Sequence, residues 1–225
     1  MARKKIPSAD RRVLILAEAK SIFAAKGFDA ATLQEIAKAA KISEALIYRH
    51  FPTKQGLYRA VLRLMIREQN ANFADLALLE RNTNGVLTTL AAFIEACLTP
   101  QNTRQMESVR ILFASLAGDG KYAQLIYRRA IRLTVPFLDE ALAAARAAGD
   151  LVGDPISATN GTLFVDHIGS MIAAYRFTAR TAHTHEGNDA ELLRQAVTFC
   201  ARGFGIREDC INRFFDEYQA SRPAA

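Results

Sequence analysis

Apolar residues recur at helical spacing along almost the whole chain, and no segment alternates apolar and polar residues as a half-buried strand would. The first helix is predicted to begin near Ser8 or Asp10 and to run to Lys26, where Gly27 ends it. Residues 82–85 read Asn-Thr-Asn-Gly and predict a loop. Later helices are expected near 86–98, 102–117, 121–148, 155–182, 189–204 and 207–220. The pattern therefore predicts an all-α fold.

Residues 32–57 contain two short helical patterns separated by a tight break. Thr32 can cap the first of them, and Glu35, three residues later, completes a capping box. The turn is expected at 41–43, where Ser43 can cap the second helix. Leu46, Ile47 and Phe51 would form the rear face of that second helix. This spacing is typical of a helix-turn-helix.

A long helix is expected to follow, because Pro52 ends the second pattern and Thr53 can cap the next one. The apolar periodicity then continues from Lys54 to about Ala77. We therefore expect one helix to link the helix-turn-helix to the rest of the chain.

Positive charge is concentrated in the first quarter of the chain. Residues 1–54 hold eleven Lys and Arg against five Asp and Glu, whereas residues 55–225 hold eighteen of each. The whole formal net charge of +6 therefore belongs to the first segment, which favours a polyanionic partner there. We expect a DNA-binding domain at 8–54, preceded by a basic arm at 1–7 with Arg3, Lys4 and Lys5, and a second helical domain at 55–225.

The second helix of the pair is the candidate recognition helix. Small or polar side chains suit its N-terminal end, which approaches the base edges most closely, and helices that begin beside the groove can offer amides to phosphate. The predicted DNA contacts are Thr32, Ser43, Glu44, Ala45, Tyr48, Arg49, His50 and Lys54. Thr32 and Lys54 would position the protein on phosphate from the starts of their helices. Ser43, Glu44 and Ala45 would approach the base edges, whereas Tyr48, Arg49 and His50 would project toward the duplex, where their polar tips can reach phosphate.

Three alternatives stay open at this point. The helix pair can be a hairpin whose polar side faces only water. Tyr48 can be a core tyrosine with a solvated hydroxyl, and His50 can interact with the helix end. Glu44 either accepts from cytosine N4 or turns away to pair with Lys41.

The segment AKSIFAAKGFDAATLQEIAKAAKISEALIYRHFPTKQGLYRAV resembles the N-terminal domain of TetR-type transcriptional regulators. The resemblance rests on Phe23, Gly27-Phe28, Thr32, Ile36-Ala37, Ile42-Ser43, Ile47-Tyr48, His50-Phe51 and 54–57. Glu44 and Ala45 depart from it, since a lysine or neutral polar residue and a glycine are common there. The resemblance implies that 55–225 is a helical domain that dimerises through its last long helices and holds a small-molecule inducer.

The sequence gives independent support for the dimer. Helix 155–182 is apolar on too many sides for a surface helix, with small residues at Gly161, Gly169, Ser170, Ala173 and Ala174. Helix 189–204 offers a second apolar face, so two helices from each of two chains would form a four-helix interface. The alternative is that both are interior helices of a monomer.

Polar and aromatic residues inside apolar helices are the candidate ligand contacts. They are Arg110, Phe113, Tyr122, Tyr127, His167 and Tyr175, with Asp166 and Arg176 as neighbours of interest. Each has a structural alternative: the tyrosines can pack, Arg110 can pair with a carboxylate, and His167 can be a satisfied interface histidine beside Asp166.

Several other classes are disfavoured. No run of eighteen apolar residues predicts a membrane span, and a cytoplasmic location is expected. Three widely spaced cysteines, Cys97, Cys200 and Cys210, are expected to be buried and reduced, and 183–186 (His-Thr-His-Glu) to be a solvated turn. No catalytic, metal or cofactor motif is present, so no enzyme activity or cofactor is expected.

The sequence thus predicts a ligand-responsive, homodimeric DNA-binding repressor that a small-molecule inducer releases from a pseudo-palindromic operator. Two other readings compete with it. One is a small-molecule-binding helical enzyme with a basic docking segment, and the other is an architectural protein that binds any duplex.

Overall fold

The computed structural model describes residues 8–98, 103–154, 156–177 and 185–220. Within these ranges the backbone is helical apart from turns and one isolated bridge, which confirms the all-α prediction. The helices are α1 Ser8–Ala30, α2 Leu33–Ala39, α3 Glu44–His50, α4 Lys54–Ala74, a short 3₁₀ helix Asp75–Leu78, α5 Thr83–Leu98, α6 Thr103–Ala117, α7 Lys121–Ala147, α8 Ala158–Phe177, α9 Asp189–Gly203 and α10 Glu208–Ala220. The basic arm at 1–7 and His183 and Thr184 lie outside the described residues.

The described chain divides into two units. The first comprises 8–72 together with Glu107–Gln124, and the second comprises Phe73–Met106 together with 125–220. The boundary that the charge distribution predicts between 54 and 55 falls inside the first unit, and the functional division there stays a prediction.

The first unit is built on apolar residues that recur at helical spacing in α1 to α4. Ile15, Phe23, Ile36, Ile47 and Leu57 are almost completely buried, so one core joins the four helices. The Phe23, Phe28 and Tyr58 rings pack against each other, with centroids 4.9–6.1 Å apart. Gly27 adopts a φ of 76° and interrupts α1 after Lys26, as the sequence predicts.

The turn between α2 and α3 is tight. The Ile42 amide donates to the Ala37 carbonyl at 3.0 Å, and Lys41 adopts a φ of 54°, a left-handed conformation that glycine usually supplies. Ser43 then caps α3, because the Leu46 amide donates to its Oγ at 3.3 Å. These bonds fix the angle at which α3 leaves α2.

Lys20 is a buried charge in the first unit. Its side chain is 3% exposed, and Nζ lies 2.9 Å from Glu68 Oε2 and 4.0 Å from Glu107 Oε2. The three residues come from α1, α4 and α6, so a single ammonium group connects three helices.

The second unit has one apolar core, to which α5, α7, α8, α9 and α10 all contribute. The connections that follow α7 and α9 meet at the isolated Leu151–Ile206 bridge, where the Val152 amide donates to the Gly205 carbonyl at 2.8 Å. Cys97, Cys200 and Cys210 have free thiols, as predicted, although Cys97 is only partly buried.

Two of the small residues in α8 allow close packing within the unit. A Cβ on Gly161 would lie 2.1 Å from the Phe204 ring, and one on Gly169 would lie 2.4 Å from the Phe93 ring and 2.9 Å from Cys97 Sγ. Both glycines therefore serve contacts inside one chain.

The loop predicted at 82–85 is wrong. Helix α5 already begins at Thr83, because the Asn82 side chain accepts from the Gly85 amide at 2.9 Å and so caps the helix. Gly85 is needed there for space, since a Cβ would lie 1.8 Å from the Glu80 carbonyl oxygen. The glycine that suggests a loop therefore marks a close approach of backbone.

Candidate nucleic-acid interface

Thr32 begins the interface at the N-terminus of α2. The Glu35 amide donates to Thr32 Oγ1 at 3.2 Å, and the Thr32 amide donates to Glu35 Oε2 at 3.1 Å, so the predicted capping box is formed. Lys26 also pairs with Glu35, and its hydrogen bond is the largest of the effects that lower the pKa of this carboxyl. Thr32 itself is exposed beside these bonds.

Helix α3 separates its side chains into a buried and an exposed face. Ile47 and Phe51 are 0% and 3% exposed and attach the helix to the core. Ser43 and four residues of the helix are exposed on the other side: Glu44, Ala45, Tyr48 and Arg49. The four follow i, i+1, i+4, i+5 spacing, so they form one contiguous surface, and Tyr48 is 48% exposed.

Glu44 stays on this exposed face without an ionic partner. Among the described residues it forms no ion pair, so the alternative pairing with Lys41 is not formed there. Lys38 and Lys41 are exposed on α2 and the turn, and with Arg49 they add three positive charges near α3. Lys38 was not singled out from the sequence, where it looks like any solvated helix lysine.

His50 is less exposed than Tyr48 and Arg49, and its role as a DNA contact stays a prediction. The residue is only partly exposed, and its Nε2 is shielded from solvent without a hydrogen-bond partner among the described residues. The cause is its position three residues after Ile47, on the flank of the buried stripe. The ring therefore contributes less exposed surface than Tyr48 or Arg49.

Lys54 starts α4, but its ammonium group is used within the domain. Nζ donates to the Asp29 carbonyl at 3.0 Å and lies 4.7 Å from the centre of the Phe28 ring. The start of α4 is capped by Thr53, whose Oγ1 accepts from the Gly56 amide at 2.9 Å. Lys54 thus fastens α4 to the end of α1 and stays partly exposed.

Arg12 makes a contact that the sequence pattern did not reveal. Its guanidinium group lies 4.4 Å from the centre of the Phe51 ring, so α1 holds the end of α3 by a cation–π contact. An aromatic residue at the end of α3 was the only signal, and its partner is thirty-nine residues earlier in the chain.

The six predicted ligand contacts are divided between the two units, and their role stays a prediction. Arg110, Phe113 and Tyr122 lie in the first unit, where Tyr122 is 1% exposed and burial is the main cause that raises its pKa. Tyr127, His167 and Tyr175 lie in the second unit. Only Tyr127 and His167 are brought into ring contact, with centroids 5.8 Å apart.

Other site classes find little support in the described part of the chain. No group of three or more His, Cys, Asp or Glu side chains there is arranged to hold a metal ion. No described helix combines the length and apolarity needed to cross a bilayer.

Comparison with known proteins agrees with this geometry. Residues 15–61 match the family model for bacterial regulatory proteins of the tetR family. The HTH-type transcriptional activator FasR of Mycolicibacterium smegmatis is 26% identical over 157 residues, which cover 70% of this chain and 64% of FasR. The HTH-type transcriptional regulator YvkB of Bacillus subtilis is 34% identical over 99 residues, 44% of this chain and 49% of YvkB. The chain thus spans less than two thirds of either relative.

A solved structure extends the likeness beyond the first unit. AibR, determined in complex with isovaleryl coenzyme A and operator DNA, superposes with a TM-score of 0.63 at 20% identity, covering 88% of this chain and all of AibR. At that identity the similarity concerns the fold.

Proposed function

Because residues 15–61 match the family model for bacterial regulatory proteins of the tetR family, we propose that the chain is a cytoplasmic, homodimeric DNA-binding regulator of this kind that releases its operator when a small molecule binds. The observation that carries the proposal is the exposed face of α3. Glu44, Ala45, Tyr48 and Arg49 form one solvated surface, while the opposite face of the same helix is locked into the core. A helix held this rigidly can enter a major groove.

The interface residues have two roles. Ser43, Glu44 and Ala45 are at the end of α3 that approaches base edges, where Glu44 accepts from an exocyclic amine such as cytosine N4. Arg49, Tyr48 and the exposed amides near Thr32 contact phosphate and set the register. Lys54 holds the start of α4 next to the end of α1 through its bond to the Asp29 carbonyl.

The dimer is supported by apolar residues that the described chain leaves uncovered on α8 and α9. Phe164, Met171 and Tyr175 are 52%, 43% and 37% exposed and follow one another at helical spacing on α8. Phe199 on α9 is 69% exposed. A second copy that covers these residues forms a symmetric four-helix interface, and two recognition helices then meet successive major grooves about 34 Å apart.

The response to a ligand needs only a difference in affinity between two states. An effector that binds the DNA-free state a hundredfold better supplies about 2.7 kcal/mol, which is enough to empty an operator of ordinary affinity. We propose that α4 transmits the conformational change from the ligand to the recognition helix. Helix α4 starts beside the Asp29 carbonyl and ends at Ala74, where the chain enters the second unit. Support for joint ligand and DNA binding in this fold comes from AibR.

Selection of duplexes from a random library, followed by a salt titration, tests the DNA proposal. The protein should enrich a pseudo-palindrome, and its binding constant should fall steeply with salt because each neutralised phosphate releases counterions. Arg49→Ala should weaken binding to all duplexes, whereas Arg213→Ala, an equal loss of charge at an exposed position of α10, should not. Equal effects of both variants would contradict the assignment of this face.

The two competing functions give different results in the same assay. An architectural protein binds selected and scrambled duplexes alike, and an enzyme with a basic docking segment keeps its activity without residues 1–54. The direction of regulation is decided by a promoter reporter. We propose repression, and increased transcription on binding would assign instead the activator role that FasR's name states for that protein.

A further inference from the structure

A cluster of polar side chains lies among the apolar helices of the second unit, and Asp166 of α8 is at its centre. Ser170 Oγ, one turn further along α8, lies 3.4 Å from Asp166 Oδ2. Tyr127 of α7 also hydrogen bonds with this carboxyl group. Cys97 of α5 lies on the same side, since a Cβ on neighbouring Gly169 would be 2.9 Å from its Sγ.

The Asp166 carboxyl group has the hydroxyls of Tyr127 and Ser170 around it, and the imidazole of the adjacent His167 lies near enough for its charge to favour the ionised carboxylate. None of the described Lys, Arg or His side chains forms an ion pair with it. Burial raises the pKa of Asp166, and the partial opposing effects come from His167, Ser170 and Tyr127. The pKa values of Tyr127 and Cys97 are each raised to about 12. Burial is the larger cause in both cases, and the negative charge of Asp166 is the second.

A partly buried carboxylate without an ion pair among the described residues attracts a positive group from outside, because the protein has only partly compensated the loss of hydration. An ammonium group has three N–H donors, and Asp166, Tyr127 and Ser170 offer three oxygen acceptors. The Tyr127 ring adds a favourable cation–π surface. An anionic ligand group would be repelled from the same position.

We propose that Asp166, Tyr127 and Ser170 bind the ammonium group of an apolar amine, and that such amines are the effector class of this regulator. The apolar part of the molecule lies against the neighbouring side chains, among which Phe93 packs beside Gly169. This inference rests on the proposed function for its regulatory consequence, but the binding step stands separately.

Three probes of matched size test the binding step: hexylamine, 1-hexanol and hexanoate, titrated into the full chain by calorimetry. Hexylamine should bind, and the alcohol and the carboxylate should bind at least about tenfold more weakly, since neither supplies a cation. Asp166→Asn should remove that preference while keeping the shape of the side chain. Asp154→Asn, on an exposed connection, is the matched control and should bind hexylamine as the parent chain does.

Tyr127→Phe and Ser170→Ala provide a second readout, because each removes one acceptor and should weaken hexylamine binding severalfold without removing it. Circular dichroism melting checks that each variant is folded. Absence of hexylamine binding to the parent chain, equal binding to Asp166→Asn, or tighter binding of hexanoate would overturn the proposal.

The DNA assay separates this inference from the proposed function. If the parent chain binds its selected duplex and hexylamine binds equally well to Asp166→Asn, the Asp166 site is wrong and the regulator proposal stands. If no duplex is preferred over scrambled DNA, the regulator proposal fails whatever the amine does. Amine binding that requires Asp166 and releases the selected duplex supports both.

Discussion

Replacing Lys20 by methionine tests how much the buried ion pair of Lys20 with Glu68 and Glu107 stabilises the first unit. The substitution keeps an unbranched apolar chain of similar volume but removes the ammonium group 2.9 Å from Glu68 and 4.0 Å from Glu107. Two carboxylates, 32% and 13% exposed, would then lose the ammonium group at the buried position. Removing one partner of a buried pair costs about 3–5 kcal/mol, and the partial exposure of Glu68 places our expectation near 3 kcal/mol.

Urea unfolding followed by circular dichroism measures this loss, which should also lower the thermal midpoint by about 6–12 °C for a chain of this length. Lys121→Met is the matched control, because Lys121 Nζ is also 2.9 Å from a carboxylate, that of Asp119, but the two side chains are 71% and 52% exposed. Water screens that pair, so the control should lose less than about 1 kcal/mol.

A second variant, in which both glutamates are replaced together with Lys20, tests this explanation. In the triple variant Lys20→Met, Glu68→Gln, Glu107→Gln, neutral amides replace the two carboxylates. At least half of the stability that Lys20→Met loses should therefore return. Equal losses in Lys20→Met and Lys121→Met, or no recovery in the triple variant, would show that the cost of burying the two carboxylates is not what Lys20 compensates.

Three further substitutions address the caps, the dimer and the operator. Thr32→Ala should lower the free energy of unfolding without DNA by about 1 kcal/mol through loss of the α2 cap, measured by urea titration; no change would deny the cap a role. Phe199→Asp should convert the proposed dimer to a monomer in analytical ultracentrifugation, whereas Arg213→Asp at an exposed position of α10 should not. A dimer that persists in Phe199→Asp would place the interface elsewhere. Glu44→Gln should change the preferred bases at one symmetric pair of operator positions, measured by duplex selection, with an unchanged consensus as the contrary result.

Local chemistry made the first unit predictable from the sequence. The capping box at Thr32, the cap at Ser43 and the stop at Gly27 each involve residues within four positions of one another, and all three are formed. A helix start or end is decided by such short-range bonds. The exposed face of α3 followed from the same helical spacing.

Long-range contacts were not predictable in the same way. Lys20 reads as a solvated lysine in an amphipathic helix, because its partners Glu68 and Glu107 are forty-eight and eighty-seven residues away. The shielding of His50 Nε2 and the bond from Lys54 Nζ to the Asp29 carbonyl were likewise not foreseen, because both depend on the tertiary packing around these residues. Gly85 led to the wrong prediction of a loop, because this glycine leaves space for the nearby Glu80 carbonyl and does not interrupt the helix.

The conformation of Lys41 sets folding and polyanion attraction against each other. A side chain at a φ of 54° costs roughly 1 kcal/mol, and glycine would adopt the same backbone without that cost. Of the residues described, Lys41 is alone among non-glycine residues in this conformation, and it is exposed next to the cap of α3. Replacing Lys41 by glycine for thermal stability would therefore remove a cation from the surface that we propose faces the double helix, and we expect the more stable protein to bind DNA more weakly.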